Sequence, residues 1–433
     1  MWQTIFRIPH EVNGVPTFGI GWALLFWLIF AVGLLVWLTR QQGWNADTRS
    51  HVPLLLIVGL VIVFVLPNIE EVGRDGPMGL AIRGYGTMML LGVVCAVGLG
   101  VQESRRMGVD PELIFSLAFW MFVAGIIGAR LTFVALEWDR VQDPKSILQT
   151  IINIVNVPDG GLVVYGALVA VSVVAITFLR RHSLPLLAFG DLIVAPLLLG
   201  LVFGRIGCLA TGCCYGGVCD VDAISIAFPM NSPPYVRQLQ RGQLHGFELV
   251  EDSVDGQVRV VVRSVTSGSE AETAGLLAGD RIAKINNKVI ANLEDLESDG
   301  VNPSIMRSPL LKILTDRGGL IIAVEKLPSQ SEPVHPTQIY SAINAACLCL
   351  LMWAYYPFRR RDGEMIALLL TVYPVTRFLL EWIRTDESGR LGTPFTISQL
   401  VSILLFLSAV GLWGFLATRP TGSDLPLIAA KEG

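Results

Sequence analysis

The sequence predicts a polytopic α-helical membrane protein that carries one small α/β domain between its membrane segments. Three observations support this fold class. Hydrophobic residues make up 52% of the 433-residue chain and charged residues only 16%, whereas a soluble domain carries about 25% charged residues. Apolar stretches long enough to cross a bilayer recur along the chain. Between two of them lies a segment with the composition of a soluble fold.

Nine stretches have the length and apolarity of a membrane-spanning helix, because a bilayer core requires about 20 predominantly apolar residues. In chain order they cover residues 18–38, 53–67, 84–101, 113–135, 161–179, 187–207, 341–357, 364–383 and 396–417. The second stretch is short, and the sixth and eighth include polar residues. We expect the first to be retained, because its apolar run is too long for a cleaved signal peptide.

The distribution of arginines predicts the orientation of these helices. Arginines are concentrated in the loops at 39–52, 102–112, 180–186 and 358–363, whereas the alternate loops hold fewer basic residues among many acids. Loops rich in basic residues stay in the cytoplasm. We therefore expect the N-terminus and the long 208–340 connection outside, and the C-terminal tail inside.

Composition also excludes several classes of function. The formal net charge is −4, and no basic stripe of the kind that binds nucleic acid is evident. The five histidines never form the HExxH pattern, so a zinc metalloprotease of the usual kind would lack its ligands. An intramembrane protease is therefore not favoured.

Residues 237–330 form the predicted soluble insert. Alternating β-branched residues indicate strands in VRVVVRSV (258–265), RIAKINNKVI (281–290) and GLIIAVEK (319–326), with a short helix near NLEDLES. The order resembles a PDZ domain: the stretch 274–280 corresponds to that family's A-G-L-x-x-G-D pattern, through Ala274, Gly275, Gly279 and Asp280, and residues 285–290 correspond to its I-N-G-x-x-V pattern. PDZ domains bind a peptide strand at a sheet edge. The alternative is a spacer or lid without a ligand.

An arginine stands within a glycine-rich stretch at the end of the sixth span. Arg205 lies in GRIGCLATGCCYG (204–216), and a charge at this depth is expensive unless it faces a partner, a cavity or the interface. The four glycines of the stretch allow a close approach to its backbone. Arg205 therefore fits an anion clamp, and the alternative is an arginine that snorkels to the interface.

The eighth span carries a polar stripe. Tyr373, Arg377, Glu381 and Arg384 are spaced four, four and three residues apart, so that they share one helical face. Such a stripe normally points into the helix bundle. Glu381 could neutralise either arginine, and an internal ion pair that only ties helices together is the alternative.

Three further polar motifs open membrane segments. His335 begins HPTQIY before the seventh span, where capping and headgroup contact are both compatible with the residue types. Arg83 and Tyr85 begin the third span, and Tyr165 stands in GGLVVYG (160–166) at the fifth.

In this order the motifs resemble those of prolipoprotein diacylglyceryl transferase, a bacterial inner-membrane enzyme family that begins lipoprotein maturation. The resemblance covers roughly residues 80–235 and 333–415. It leaves the PDZ-like insert and the first two spans outside. The matching positions are Arg83, Tyr85, Gly86, Gly128, Ala129, Arg130, Asp191, Pro196, Gly204, Arg205, Gly207, His335, Pro336, Gln338, Tyr340, Tyr373, Arg377, Glu381 and Arg384.

The chain also departs from the family's pattern. Tyr165 stands where the family usually has a histidine, and Cys208 and Cys213 replace an asparagine and a glutamate. Histidine titrates near neutral pH and tyrosine only near about pH 10, so a tyrosine is the weaker base. The cluster of Cys208, Cys213, Cys214 and Cys219 fits a disulfide, a structural substitution, a nucleophile or, with unusual spacing, a zinc site.

The resemblance implies phosphatidylglycerol as the diacylglyceryl donor and the lipobox cysteine of a preprolipoprotein signal peptide as the acceptor. It implies Arg205 and Arg377 as the phosphate clamp, with Tyr373 beside it and Tyr165 at the proton-acceptor position. The other residues expected to bind substrate are Arg83, Tyr85, Arg130, Asp191, Gly207, Cys208, Gly212, Gly216, His335, Gln338, Tyr340, Glu381 and Arg384. No metal or organic cofactor is expected, because charge pairing already activates the leaving phosphate.

The resulting domain plan has five parts, and a multi-pass protein of the bacterial inner membrane is expected, with the PDZ-like domain on the extracytoplasmic side. The parts are two extra N-terminal helices in 1–80, a first half of the transferase-like core in 81–236, the PDZ-like domain in 237–330, the second half of the core in 331–417 and a cytoplasmic tail in 418–433. A non-catalytic membrane protein that binds lipid or peptide is the alternative function, because of Tyr165.

Overall fold

The computed structural model describes residues 3–73, 76–144, 146–156, 160–219, 221, 223–254, 257–297, 305–324, 326–384, 393 and 395–425. The helices are α1 Trp22–Gln42, α2 Ala46–Leu60, α3 Leu66–Ile69, α4 Gly84–Arg106, α5 Pro111–Leu136, α6 Trp138–Val141, α7 Ile147–Val155, α8 Val164–Arg181, α9 Leu186–Thr211, α10 Pro233–Gln240, α11 Glu270–Thr273, α12 Glu294–Glu297, α13 Thr337–Tyr355, α14 Glu364–Glu381 and α15 Ile397–Ala417. The strands are β1 Thr4–Ile8, β2 Glu11–Val12, β3 Val15–Pro16, β4 Glu71–Gly73, β5 Gly76–Arg83, β6 Phe247–Val254, β7 Gln257–Val265, β8 Ile282–Ile285, β9 Lys288–Val289, β10 Leu310–Thr315 and β11 Gly318–Ala323.

Among these residues, eight helices are long and apolar enough to cross a membrane. They are Trp22–Gln41, His51–Ile69, Gly84–Arg106, Pro111–Leu136, Val164–Arg181, Leu186–Thr211, Thr337–Phe358 and Ile397–Ala417. The second is longer than the sequence predicted, because a π-helical turn at Val61–Val65 joins α2 to α3 without a break. The ninth expected span forms α14, but its three charged residues keep it from qualifying by composition. The chain is thus a polytopic helical membrane protein.

The chain divides into two compact units. The first unit comprises residues 2–90, 100–189 and 425–433, and the second comprises residues 1, 91–99 and 190–424. In the first unit, β5 pairs with both β1 and β4 in an antiparallel sheet that the sequence analysis did not predict. Helices α5 and α8 cross closely there, since a Cβ on Gly128 would lie 2.6 Å from the backbone oxygen of Gly166. Small residues permit such close helix packing in membranes.

In the second unit, α9 is attached to the start of α14. Asp191 is fully buried, and its carboxylate accepts hydrogen bonds from the backbone N–H groups of Gly363 (2.7 Å), Met365 (3.1 Å) and Ile366 (3.2 Å). These groups lack partners within their own helix, and an acidic side chain satisfies them and favours the positive end of the helix dipole. Asp191 in α9 therefore caps the start of α14, and its expected role in substrate binding stays a prediction.

The insert has a hydrophobic core of its own. The hairpin β6–β7 packs with the sheet of order β11-β10-β8-β9 around fully buried residues such as Leu249, Ile285 and Leu311. Asn286 and Asn287 form the turn between β8 and β9 with positive φ angles, as a two-residue hairpin turn requires. The strands predicted by alternation are present, but β6 and β10 were missed. Helix α10 also belongs to this core through Tyr235 and Leu239, so the insert begins earlier than residue 237.

The segments that enter and leave the insert pair with each other. The backbone N–H of Ile226 donates to the carbonyl oxygen of Val334 (3.0 Å), and the N–H of Val334 donates back to Ile226 (3.1 Å). Tyr215, Phe228 and Val334 pack together beneath this connection. The short paired connection joins the insert to the segment that follows α9.

Candidate active site

The glycine-rich stretch closes α9 and turns the chain back. The backbone N–H groups of Gly212 and Cys213 both donate to the carbonyl oxygen of Cys208, at 2.9 and 3.2 Å. Gly212 has a φ of 80°, the left-handed conformation that commonly ends a helix and that glycine adopts without strain. Gly207 is buried one turn earlier in the helix. The turn explains why a glycine stands at position 212, and its expected role in substrate binding stays a prediction.

Arg205 is half-buried on the penultimate turns of α9. Within the described part of the chain, Arg205 makes no hydrogen bond or ion pair. A guanidinium with five N–H donors that is partly removed from water costs free energy unless an acceptor reaches it. This cation is therefore available to an anionic group that is not part of the described chain.

The segment after the turn lies between the start of α13 and the end of α14. The N–H of Gly216 donates to the carbonyl oxygen of His335 (2.9 Å), and the N–H of Gly217 donates to that of Ile383 (3.0 Å). A Cβ on Gly216 would lie 2.7 Å from the Cβ of His335 and 2.9 Å from the oxygen of Ile383. The close contact with the protein itself thus explains the glycine at position 216, and its expected approach to the lipid stays a prediction.

The HPTQIY motif fixes the same segment through its side chains. The hydroxyl of Thr337 donates to the carbonyl oxygen of Cys214 (2.6 Å), and Nε2 of Gln338 donates to that of Cys213 (2.7 Å). Both side chains are 1% exposed. Gln338 holds the backbone of the site segment, and its expected contact with substrate stays a prediction. Oε1 of Gln338 is buried without a partner in the described residues.

His335 and Tyr340 contact each other. Nδ1 of His335 lies 3.3 Å from the hydroxyl oxygen of Tyr340, and that hydroxyl also donates to the carbonyl oxygen of Ile224. Both side chains are half-buried. These contacts order the segment around the exit from the insert, and they leave a direct contact with substrate untested.

The polar stripe of α14 is an ion-pair network. Glu381 is 2% exposed, and its carboxylate accepts from the guanidinium groups of Arg377 and Arg384 and from the hydroxyl of Thr396 (3.1 Å). Arg377 also donates to the hydroxyl of Ser398 (3.0 Å). The expectation that Glu381 neutralises an arginine on its own helix face is confirmed, and it pairs with both. Two cations share one carboxylate, so the cluster keeps a net positive charge.

Arg205 and this network lie near helix ends that are tied together. Arg205 precedes the end of α9 by less than two turns, and Arg377 precedes the end of α14 by about one turn. Gly216 pairs with Arg384 as an isolated antiparallel bridge. The backbone therefore links the glycine-rich stretch to the charged end of α14. Tyr373 lies one turn before Arg377 and is half-buried.

Three cysteines meet at the turn. The Sγ atoms of Cys208, Cys213 and Cys214 lie within 4.8 Å of one another, and each residue is half-buried. Cys219 is buried and lies outside this group, with its Sγ 3.9 Å from the carbonyl oxygen of Val221. All seven cysteines are free thiols. The disulfide considered from the sequence is therefore absent among them.

The site residues predicted in the first unit have different environments. Arg83 forms an ion pair with Glu71 (3.0 Å) and is largely exposed, and Tyr85 is 40% exposed. Tyr165 lies in the first turn of α8 and is also 40% exposed. Exposure at the surface of a span is compatible with lipid contact, but no contact in the structure tests these roles.

The Arg130 guanidinium makes four hydrogen bonds to backbone carbonyl oxygens. Its guanidinium donates to the carbonyl oxygens of Asn153 (2.5 Å), Ile154 (2.9 Å), Gly160 (2.6 Å) and Gly161 (3.0 Å). Arg130 therefore holds the end of α7 and the loop before α8, and its expected role in substrate binding stays a prediction.

Sequence reasoning missed the role of Thr396. Its hydroxyl accepts from the backbone N–H of Gln399, and the Gln399 side chain accepts from the N–H of Thr396 (3.0 Å), which together form a capping box at the start of α15. The same hydroxyl reaches Glu381. The T-x-x-Q pattern before an apolar run is the signal that could have revealed it.

Together these features define a polytopic membrane protein with arginines near the ends of two helices that the backbone links. The sequence profile of the family described as prolipoprotein diacylglyceryl transferase matches residues 77–415. The chain belongs to this family. The match begins after α3, so the first two candidate spans lie outside it.

Individual relatives carry the same description. A phosphatidylglycerol–prolipoprotein diacylglyceryl transferase of Rhodopirellula baltica is 33% identical over 95% of this chain and 88% of its own length. A second enzyme of that description, from Clostridium perfringens, is 23% identical over 77% of this chain and 91% of its own length. Because the first alignment covers 95% of the chain, it extends through most of the N-terminal helices and of the insert.

Proposed function

We propose that this protein transfers the diacylglyceryl group of phosphatidylglycerol to the cysteine thiol of a prolipoprotein, with Arg205 and Arg377 binding the phosphate of the donor. The names of the relatives supply the reaction. The observation that carries the assignment of residues is Arg205, a half-buried cation without a partner in the described chain.

The charges of the site fit this reaction. Arg205, Arg377 and Arg384 supply three positive charges, and Glu381 supplies one negative charge. The net charge of these groups is then two units positive. The phosphodiester of the donor carries one negative charge, and the released phosphate monoester carries two. The site therefore carries one more positive charge than is needed to neutralise the phosphodiester. The excess stabilises the second negative charge that develops on the phosphate as the C–O bond breaks.

The chemical step is a displacement at carbon. The acceptor thiol loses its proton, and the thiolate attacks the glyceryl carbon that bears the phosphate. The C–O bond breaks, a thioether forms, and glycerol phosphate leaves as a dianion without needing a proton. Arg377 is held by Glu381 and Ser398, so it can donate to the phosphate from a fixed position. Fixed donors need no reorganisation during the reaction.

The tyrosines take supporting roles in this proposal. Tyr373, one turn before Arg377 on α14, contacts the headgroup or orients the arginine. Tyr85 and Arg83, both exposed in the first unit, contact lipid headgroups. Tyr165 occupies the proton-acceptor position that the family pattern gives to histidine. A tyrosine is a weak base near neutral pH, so the thiol requires further help to ionise.

We also propose that the protein lies in a bacterial inner membrane, with the insert on the extracytoplasmic side. The arginine-rich loops support that orientation, because such loops remain in the cytoplasm. The acceptor cysteine follows the membrane-spanning part of a signal peptide, so the residues after it leave the membrane on the same side as the insert.

The insert acts as a PDZ-like module that receives or gates the acceptor. Support comes from the sequence positions Gly275, Gly279 and Asp280 and from the asparagine turn between β8 and β9. A cavity of about 380 Å³ lies between the insert and residues 215–218 of the site segment. Arg237, Arg241 and Arg263 are among its lining residues. An extended polypeptide that enters the site would pass this cavity.

Complementation tests the function. The full-length protein should restore lipoprotein maturation to a strain depleted of its own transferase. Mass spectrometry should detect thioether-linked diacylglycerol on a reporter lipoprotein, and a reporter with serine in place of the lipobox cysteine should remain unmodified. If the protein is expressed in the membrane but the modification is absent, the proposal fails and a non-catalytic lipid binder becomes the better description.

A further inference from the structure

Three thiols converge immediately after the proposed phosphate clamp. Cys208 lies one helical turn beyond Arg205, and the chain reversal at Gly212 brings Cys213 and Cys214 back to it. Their Sγ atoms lie within 4.8 Å of one another and are half-buried. Neither the charge balance nor the displacement step described above uses these thiols.

The backbone around the thiols is held in an unfavourable conformation. Cys214 has a φ of 58°, in the left-handed region that residues with a side chain rarely adopt. Such a conformation is strained and persists only where neighbouring groups enforce it. Thr337 and Gln338 enforce it by binding the carbonyl oxygens of Cys214 and Cys213. Two buried side chains of another helix thus keep both thiols beside Cys208.

The donor set matches a soft divalent cation. Zinc binds thiolates at about 2.3 Å with tetrahedral geometry, so that two sulfur ligands of one ion lie about 3.8 Å apart. Three sulfurs within 4.8 Å of one another need only small shifts to reach that separation. Three protein ligands leave the fourth position of zinc open, as in catalytic rather than structural zinc sites.

We propose that Cys208, Cys213 and Cys214 bind one zinc ion, and that the acceptor thiol of the substrate binds its fourth position. This inference rests on the proposed function and specifies how the acceptor is activated. It goes beyond the sequence expectation that no metal is needed. The metal site compensates for Tyr165, which replaces the expected histidine with a weaker base.

The proposed zinc-assisted transfer conserves atoms and charge. The acceptor thiol displaces a water molecule from zinc and releases its proton to solvent, because a thiol that coordinates zinc is deprotonated. The resulting thiolate attacks the glyceryl carbon, and the C–O bond to the phosphate breaks. Zinc releases the thioether product, which is a weaker ligand than a thiolate, and water returns. Arg205 holds the phosphate about one helical turn from the first zinc ligand.

Metal content of the purified full-length protein tests the site. The wild type should hold one zinc ion per chain after dialysis against a weak chelator, as measured by elemental mass spectrometry. Cys208→Ser and Cys213→Ser should lower zinc affinity by more than about tenfold. Cys347→Ser is the matched control, because Cys347 is exposed on α13 away from the group, and it should keep its zinc.

Cobalt replacement tests the open position. Cobalt-loaded protein should display the absorption of a tetrahedral thiolate complex. A lipobox peptide with cysteine should change that spectrum, and the same peptide with serine should not. The metal site is wrong if the wild type holds no more zinc than Cys208→Ser. It is also wrong if two of these cysteines form a disulfide in the native protein. If the cysteine peptide does not change the cobalt spectrum, the acceptor thiol does not bind the fourth position as proposed.

The two proposals fail separately. If the wild type modifies the reporter lipoprotein but binds no zinc, the metal site is wrong and the transferase function stands. If it binds zinc and the cysteine peptide but never forms the thioether, the metal site stands and the transferase function is wrong. Arg205→Ala should abolish transfer while zinc content stays unchanged.

Discussion

Arg130 and Arg205 both lie near the end of a long apolar helix, and both belong to motifs that the sequence marks as functional. Their surroundings differ. The guanidinium of Arg130 donates to four backbone carbonyl oxygens, two at the end of α7 and two in the loop before α8. Arg205 makes no hydrogen bond to the part of the chain that the structure describes. An arginine with satisfied donors stabilises the protein, whereas an unsatisfied one remains free for a ligand.

The described contacts separate residues that are bound to backbone groups from a residue whose donors have no partner in the described chain. Asp191, Gly216 and Gln338 resemble Arg130, because each is occupied by backbone groups or packed against them. Arg377 is intermediate, since it is paired with Glu381 but belongs to a cluster with an excess of positive charge. A motif can therefore mark a position as necessary without marking it as catalytic.

The largest effect is expected at Arg205. Arg205→Ala should lower the rate of diacylglyceryl transfer by at least about 100-fold, because a charged donor to the developing phosphate is lost. The melting temperature in detergent should change little, since no described hydrogen bond or ion pair disappears. Quantitative mass spectrometry of the reporter lipoprotein measures the rate, and Arg181→Ala at the exposed end of α8 is the control. A fall of less than about threefold would remove Arg205 from the clamp.

Arg130→Ala should lower stability more than the transfer rate, which is the opposite of the effect expected for Arg205→Ala. Loss of four charged hydrogen bonds should lower the free energy of unfolding by about 3 kcal/mol. The transfer rate per folded molecule should change far less than in Arg205→Ala. Thermal unfolding of the two variants in detergent gives the comparison. Arg140→Ala removes only an exposed ion pair to Glu137 and should cost less than about 1 kcal/mol. Equal stability of the Arg130 and Arg140 variants would contradict this interpretation.

Gly216→Ala should produce a moderate defect in both stability and transfer. The added methyl group meets the Cβ of His335 and the carbonyl oxygen of Ile383, and the backbone on both sides is fixed. We expect a loss of about 1–3 kcal/mol in unfolding free energy. Gly411→Ala, where a Cβ would meet no atom within 4 Å, should be neutral. If both variants behave alike, the close contact at Gly216 is not important.

The smallest effect concerns the pH dependence of the insert. Burial lowers the pKa of His245, although its hydrogen bond to the carbonyl oxygen of Met306 opposes the shift. The neutral form therefore stabilises the fold above the unfolded-state pKa of about 6.5, and this contribution declines as the pH falls below that value. Hydrogen exchange of β6 and β7 in the full-length protein should quicken at low pH. His245→Gln should reduce that pH dependence, and an unchanged profile would rule His245 out as its origin.

The sequence predicted the membrane fold and the insert because both depend on local composition. Apolar runs locate α4, α5 and α9 within a few residues, and alternation locates β7 and β11. The N-terminal sheet of β1, β5 and β4 was missed, since its strands are short and flank apolar helices. Helix α14 lies where the sequence predicted the ninth span, but its charged residues keep it from qualifying as a span by composition.

The sequence predicted which residues belong to the candidate site but not which of them contact each other. Spacing alone predicted the pairing of Glu381 with the arginines of its own helix face, because four residues make about one helical turn. It could not predict that Gln338 binds the backbone of Cys213, since the two residues are separated by the whole insert. Spacing also grouped four cysteines, whereas the fold brings only Cys208, Cys213 and Cys214 together.

The attachment of α14 to Asp191 has a consequence for how a lipid enters. Asp191 lies fourteen residues before Arg205, which is about 21 Å along α9. Near the other end of α14, Ile383 accepts the N–H of Gly217. Helices attached near both ends of α14 cannot slide along each other. A lipid donor would therefore have to reach Arg205 without a piston-like movement of these helices.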